Sequence, residues 1–239
     1  MSVRRSADNS VGMPKSMSRR IATAFAAILI LAAAATRARA QSPSSYFGIA
    51  GMYSTQEAGT PYQGSGGVKP GTGGSAFGID AEWGGFVTGA LSVSVELSLP
   101  ARFEVVRSAG IPNERFDTQY RDVTVSVLVH AHTPRVGRLR AAAVGGAGFV
   151  RESAVFRTAF APFGSNAYGP DGPEQMQANT TGGLVFGGDI ELFATKHVVI
   201  GPQMRVHWVN RADAPGDPMW SYALGSWLWR PALGLRIVY

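Results

Sequence analysis

The feature that most constrains the fold of this chain is the strict alternation of apolar and polar residues. From Leu91 to Leu99 every odd position is Leu or Val and every even position is Ser or Glu. From Val123 to Val129 valine occupies each odd position, with Leu128 the only apolar residue between them. Successive strand side chains point to opposite faces, so these segments are strands with one apolar and one polar face. After residue 41 no apolar stripe of helical length occurs, which predicts an all-β fold.

The alternation and the intervening Gly and Pro residues predict eight strands. They are expected near residues 46–54, 75–84, 90–99, 115–131, 138–150, 181–193, 198–209 and 222–239.

The connections between these strands alternate in length. Long connections are predicted at 55–74, 100–114, 151–180 and 210–221, and short ones at 85–89, 132–137 and 194–197. In an up-and-down barrel, alternate connections lie at opposite ends, and outer-membrane barrels have short periplasmic turns and long external loops. We therefore predict an eight-stranded antiparallel up-and-down transmembrane β-barrel with its long loops facing outward.

The polar faces of the strands predict the contents of such a barrel. A sheet can cross a bilayer only when it is closed, and the lumen of eight strands is just wide enough to be filled by side chains. Charges in so narrow a space should pair, which predicts a plug of salt bridges. The predicted lumen charge network is Asp80, Glu82, Glu96, Asp122, Arg140, Asp189, Glu191, Arg205, Arg230 and Arg236.

Aromatic residues cluster near the predicted strand ends and suggest the girdles that flank a membrane-spanning band. They are Tyr46, Phe47, Tyr53, Trp83, Phe86, Phe193, Trp208, Trp220, Trp227 and Trp229.

The first forty residues have the pattern of an export signal. They contain seven basic residues and one acid, and residues 21–35 form a short apolar run. The small-x-small sequence ending at Ala38 and Ala40 predicts cleavage before Gln41. A membrane anchor is the alternative, and translation could also start at Met13 or Met17 instead of Met1. The formal charge of +6 comes from this segment: without it, fifteen basic and fifteen acidic residues remain, so no nucleic-acid partner is expected.

The last strand carries a pattern that resembles the assembly signal of outer-membrane barrels. Gly234, Ile237 and the final Tyr239 stand in the expected order. Together with the signal and the alternating loop lengths, this pattern makes residues 41–239 resemble the small eight-stranded outer-membrane proteins of Gram-negative bacteria, the family of the opacity proteins and the OmpA membrane domain. The resemblance implies insertion into outer-membrane lipid by the barrel-assembly machinery. It does not indicate a surface partner.

Little in the sequence points to chemistry. The chain resembles the lipid A deacylases in size, but at His207 the residue two positions later, where those enzymes carry a nucleophilic Ser, is Val209. His130 and His132 share a strand face, yet two ligands are too few for zinc, and a polar barrel rim is the simpler interpretation. The absence of Cys excludes thiolate sites and disulfides. We predict no enzyme and no cofactor.

Three hypotheses for the function remain open. The favoured one is an integral outer-membrane barrel with a structural or surface-interaction role, whose long loops contact an unknown partner. The second is a lipid-modifying barrel enzyme of the lipid A acyl-hydrolase type. The third is a soluble periplasmic lipocalin-like barrel that binds a small apolar ligand, which requires an apolar lumen and a polar exterior.

Overall fold

The computed structural model describes residues 45–58, 62–64, 67–69, 71–108, 114–160, 174–210 and 223–239. The predicted signal peptide and its cleavage residues Ala38, Ala40 and Gln41 lie outside these ranges, as does Trp220. Among the described residues, no helix is long and apolar enough to cross a membrane.

Twelve strands make up the described structure. They are β1 (Ser45–Ala58), β2 (Tyr62–Gly64), β3 (Gly67–Lys69), β4 (Gly71–Thr72), β5 (Gly74–Phe86), β6 (Leu91–Pro100), β7 (Phe103–Ser108), β8 (Glu114–His132), β9 (Leu139–Phe160), β10 (Gln175–Phe193), β11 (Val198–Val209) and β12 (Ala223–Val238).

Eight of these strands form a closed antiparallel barrel. Strands β1, β5, β6, β8, β9, β10, β11 and β12 pair in sequence order. Closure comes from β1 against β12, where Tyr46 pairs with Val238 and Ala50 with Gly234. The predicted all-β, eight-stranded up-and-down barrel is therefore confirmed, and each predicted strand corresponds to one barrel strand.

The two ends of the barrel differ, as the connection lengths predict. At one end, called here the turn end, the connections 87–90, 133–138 and 194–197 lie together with Ser45 and Tyr239. The tight turn at 133–138 uses Gly137 with φ of +61°, a conformation that favours glycine. The last residues of β1, β6, β9 and β11 lie at the opposite end, called here the loop end. Of the predicted long connection 210–221, only Asn210 is among the described residues.

The long connections contain more strand than predicted. Strand β9 continues to Phe160 and β10 begins at Gln175, so the predicted loop 151–180 is partly strand. The predicted loop 100–114 contains β7, which pairs with β8, and 55–74 contains the β2–β3 hairpin. These segments are not evident from the sequence, because cross-strand pairing beyond an apolar band leaves no clear hydrophobic alternation.

The barrel is apolar outside and polar inside. Its outward positions form a continuous band, called here the apolar belt. Large exposed members of the belt are Phe47, Ile49, Phe77, Ile79, Trp83, Val95, Val125, Val129, Leu139, Phe149, Leu184, Phe186, Ile190, Ile200, Trp229, Leu233, Leu235 and Ile237.

The inward positions carry buried charged and hydroxyl side chains, of which Arg230 is fully buried. This distribution is opposite to the one that the lipocalin-like hypothesis requires.

Candidate functional site in the barrel lumen

The turn-end half of the lumen is organised around Arg236 of β12. Its Nη1 donates to Glu191 Oε1 at 2.6 Å, and its Nη2 donates to Glu82 Oε2 at 2.7 Å and to Asp189 Oδ2 at 3.2 Å. Arg140 of β9 donates from Nε to the other oxygen of Glu191. These contacts join side chains from four strands, so the cluster braces the barrel across its interior.

Arg205 of β11 extends the same network toward β6. Its Nε donates to Glu96 Oε2 at 3.0 Å, and its Nη1 donates to Asp189 Oδ1. Arg205 and Glu96 are both only 2% exposed. A charge so completely removed from water is tolerated when it is paired and hydrogen-bonded, as these groups are.

Two histidines of β8 belong to this network. His130 Nε2 lies 3.0 Å from both Glu82 Oε1 and Ser94 Oγ, and its Nδ1 lies 3.3 Å from Asp189 Oδ2. His132 lies 2.9 Å from Ser92 Oγ and 3.6 Å from Glu191. The interpretation of this pair as a polar barrel rim did not include them in the ion network. Both imidazoles point into the lumen, because the even parity that turns Thr124 and Ser126 inward also turns them inward.

A second, smaller cluster lies toward the loop end. Arg230 donates from Nη2 to Asp122 Oδ2 at 3.0 Å, from Nη1 to Thr124 Oγ1, and from Nε to Ser54 Oγ at 3.2 Å. The ten side chains of the predicted charge network therefore all lie inside the barrel. Seven of them form the first cluster and two the second. The tenth, Asp80, is buried opposite Ser98 and makes no ion pair with any described residue.

Apolar side chains from β8, β9, β10, β11 and β12 complete the lumen. Leu128, Val144 and Val185 form one buried group. Val150, Val209 and Leu228 form another. Ion pairs and apolar side chains thus share the cross-section of the barrel.

The lumen also holds aromatic residues that the girdle prediction placed outside. Tyr46 is fully buried and donates its hydroxyl to Glu82 Oε1 at 2.9 Å, with its ring 4.8 Å from the Arg236 guanidinium carbon. Phe193 also points inward, next to Arg140. Assignment to the girdle was wrong for both. The alternation of the strands identifies both as inward-facing. Tyr46 shares its strand face with Gly48 and Ala50 on β1, and Phe193 shares its face with Asp189 and Glu191 on β10.

The other predicted aromatics are mixed in position. Phe47, Tyr53, Trp83, Trp227 and Trp229 are exposed on the outer surface. Phe86 contacts Tyr46 and His132 at the turn end of the lumen.

His207, the candidate general base for lipid hydrolysis, points into the lumen. It is 1% exposed and Val209, two positions later, is likewise buried. A lipid-modifying site on a barrel must be reached from the membrane or from the loop end, and this imidazole faces neither. No cluster of three or more His, Asp or Glu side chains among the described residues has a metal-binding arrangement.

Of the residues of the predicted assembly signal, Gly234 and Ile237 lie on the closing strand β12 and Tyr239 directly follows it. Ile237 and Tyr239 are exposed and Gly234 faces inward, opposite Ala50. The backbone amide of Tyr239 donates to the Ser45 carbonyl at 2.9 Å, so these residues help to close the barrel.

No protein-family model and no curated protein matches this sequence. Among solved structures, the fold is similar to the attachment invasion locus protein Ail of Yersinia pestis, with 13% identity, a TM-score of 0.46 and coverage of 83% of this chain and 100% of Ail. It is similar to neisserial surface protein A, with 12% identity, a TM-score of 0.44 and coverage of 82% and 99%. It is also similar to the outer membrane protein OprG of Pseudomonas aeruginosa, with 13% identity, a TM-score of 0.44 and coverage of 82% of this chain and 96% of OprG. These likenesses concern the fold.

Proposed function

We propose that this protein is an integral β-barrel of the outer membrane with a structural or surface-interaction role, and that its lumen is plugged. The observation that carries the proposal is the inverted polarity of the barrel. Ile79 is 61% exposed while Arg230 and His130 are fully buried. Such an arrangement is costly in water and favourable in lipid, where the apolar surface meets acyl chains.

The belt has the extent that a bilayer requires. On β8 the outward positions from Val123 to Ala131 carry no charge, and on β9 the same is true from Leu139 to Phe149. About 9–11 tilted residues span the hydrocarbon core. The next outward residues toward the loop end are Arg121 and Arg151, where charge can reach the interface.

The plug rests on the two ion clusters and the apolar groups beside them. Arg205, Arg230 and Arg236 bond to side chains from several strands, so no one of them can swing aside without breaking several charged hydrogen bonds. A barrel filled in this way serves as a scaffold, and it would contact any surface partner through its loop end. There the extended β8, β9 and β10 carry strand structure past the belt.

The first test is fractionation with a heat-modifiability gel. The proposal expects the protein in detergent extracts of the outer membrane and a faster band for the unheated sample than for the boiled one, because a closed barrel resists SDS. Recovery from the aqueous periplasm without a heat-dependent shift would contradict it.

The enzyme alternative is tested separately. We expect lipid A from cells with and without the protein to be the same, and the same again with His207→Ala. A difference in acylation that disappears in this variant would overturn the non-enzymatic assignment.

A further inference from the structure

Three arginines form a row on the outer surface where the apolar belt ends toward the loop end. Arg121 of β8 pairs with Ser153 of β9, and Arg151 pairs with Val123, which makes the two arginines diagonal neighbours. Diagonal neighbours of this kind lie about 7–8 Å apart, within reach of each other's long side chains. Arg102 lies directly before β7, whose first residue pairs with Tyr120, so it stands beside Arg121.

Two of the three arginines are exposed, and the third donates to a backbone carbonyl. Arg102 and Arg151 are exposed, and within the described residues no carboxylate forms an ion pair with any of the three. Arg121 donates from Nε to the Pro100 carbonyl at 3.0 Å, a contact that orients the guanidinium and leaves its terminal nitrogens available. By contrast, Arg157 further out is paired with Glu174.

The surroundings of the row define the ligand that fits it. On the membrane side the nearest outward residues are Val123 and Phe149. The part of a bound ligand that extends in this direction therefore contacts the apolar belt, and must itself be apolar. On the loop side, β7 carries one exposed carboxylate, Glu104. Glu104 pairs with Gln119, so it lies further from the belt than Arg121 does. The site therefore favours an anion at interface depth with acyl chains below it.

We infer that Arg121 and Arg151, with Arg102 beside them, bind the phosphate groups of lipid A in the outer leaflet. The inference rests on the proposed function, because it requires the loop end to face outward from the outer membrane. Guanidinium groups suit this task, since their planar donors match phosphate oxygens. The site would hold lipid A against the β8–β9 side of the barrel.

The test compares lipid binding by the full protein and by variants in phosphatidylcholine nanodiscs. The probes are diphosphoryl lipid A and the same lipid with its phosphates removed. For the double variant Arg121→Gln with Arg151→Gln we expect affinity for diphosphoryl lipid A to fall by at least about tenfold, from the loss of charged hydrogen bonds. Affinity for the dephosphorylated lipid should not change, and added salt should weaken binding by the wild type only for the phosphorylated probe.

The matched control is Arg138→Gln, which removes an exposed arginine at the turn end and should bind lipid A like the wild type. Unchanged affinity in the double variant would overturn the inference, and so would equal loss for both probes. If a soluble sulfated sugar binds equally well and displaces the lipid completely, the row is a site for soluble polyanions and the lipid assignment fails.

The heat-modifiability gel separates this inference from the proposed function. Each variant is checked for the heat-dependent shift before binding is measured. A wild-type protein that lacks the shift refutes the membrane barrel itself, whereas a folded wild type that ignores lipid A refutes only the arginine site.

Discussion

At the scale of single residues, the decisive feature is a set of buried guanidinium groups that each satisfy several acceptors. Arg236 bonds to Glu82, Asp189 and Glu191, so its removal would leave three carboxylates buried with less compensation. Burying an unpaired charge costs more than a pair contributes. The lumen is therefore a place where one substitution should have a large effect.

The first prediction concerns this arginine. Arg236→Met should lower the free energy of unfolding by about 3–5 kcal/mol, the usual cost of breaking a buried ion pair from one side. Urea unfolding in phosphatidylcholine vesicles, followed by tryptophan fluorescence, measures it. Arg138→Gln, which removes an exposed arginine, should be nearly neutral, and an equal effect of the two changes would contradict the role given to the lumen cluster.

A smaller effect is predicted for the tyrosine that the girdle interpretation placed outside. Tyr46→Phe removes only the hydroxyl that donates to Glu82, which should cost about 1–3 kcal/mol because a buried carboxylate loses a donor. The same unfolding assay applies. Tyr53→Phe is the control, since the hydroxyl of Tyr53 is exposed and contacts Ser75. If Tyr46→Phe proves as mild as this control, the inward contact does not stabilise the barrel.

At the scale of strands, sequence alone predicted all eight barrel strands because alternation is forced wherever one face meets an apolar medium. It also assigned the ten network residues to the polar face by parity. It could not give their pairing, since Arg205 meets Glu96 from across the lumen and 109 positions away in the chain. Pairs of that kind depend on barrel diameter and strand stagger, which no local pattern encodes.

The outer parts of β9 (151–160) and β10 (175–180), called here the extension, escaped prediction for a related reason. Residues such as Glu152, Arg151 and Arg157 stand on both faces of the extension, so the alternation that marks the belt is lost there. These segments are strand because each pairs with its neighbour over its whole length. Backbone pairing between neighbouring strands, and not a hydrophobic pattern, therefore stabilises the extension.

A depth-dependent substitution tests the orientation of these strands. Val125→Arg on the belt of β8 should destabilise the barrel in vesicles by about 2–4 kcal/mol, whereas Gln119→Arg beyond the belt should cost about 0–1 kcal/mol. Both side chains face outward and are exposed, so the comparison isolates membrane depth. Equal and small effects would mean that the outer surface of the barrel meets water.

At the scale of the whole molecule, the barrel and the extension should be separable. Joining Ser153 directly to Ala178, which are paired across β9 and β10, would remove the outer part of both strands and keep the membrane-spanning ladder. We expect this shortened protein to retain the heat-dependent gel shift of the full chain. Loss of the shift would show that the extension is needed to close the barrel.

The proposed plug predicts the ion conductance of the complete barrel. In planar bilayers the wild type should show no steady ion conductance, because ion pairs and apolar side chains fill the cross-section. A path should open when Arg140, Arg205 and Arg236 are changed to Ala together with Glu82→Gln, Glu96→Gln, Asp189→Asn and Glu191→Gln. This set neutralises all seven side chains of the first cluster, so none of them is left as a lone charge.

The matched control for conductance is the Arg121→Gln, Arg151→Gln variant, which changes charges on the outer surface and should stay closed. All three proteins must first show the heat-dependent shift, so that a leak from unfolded protein is not counted. Steady conductance in the wild type equal to that of the emptied lumen would refute the plug. It would not refute the barrel, because an open eight-stranded barrel would still present the same apolar belt to lipid.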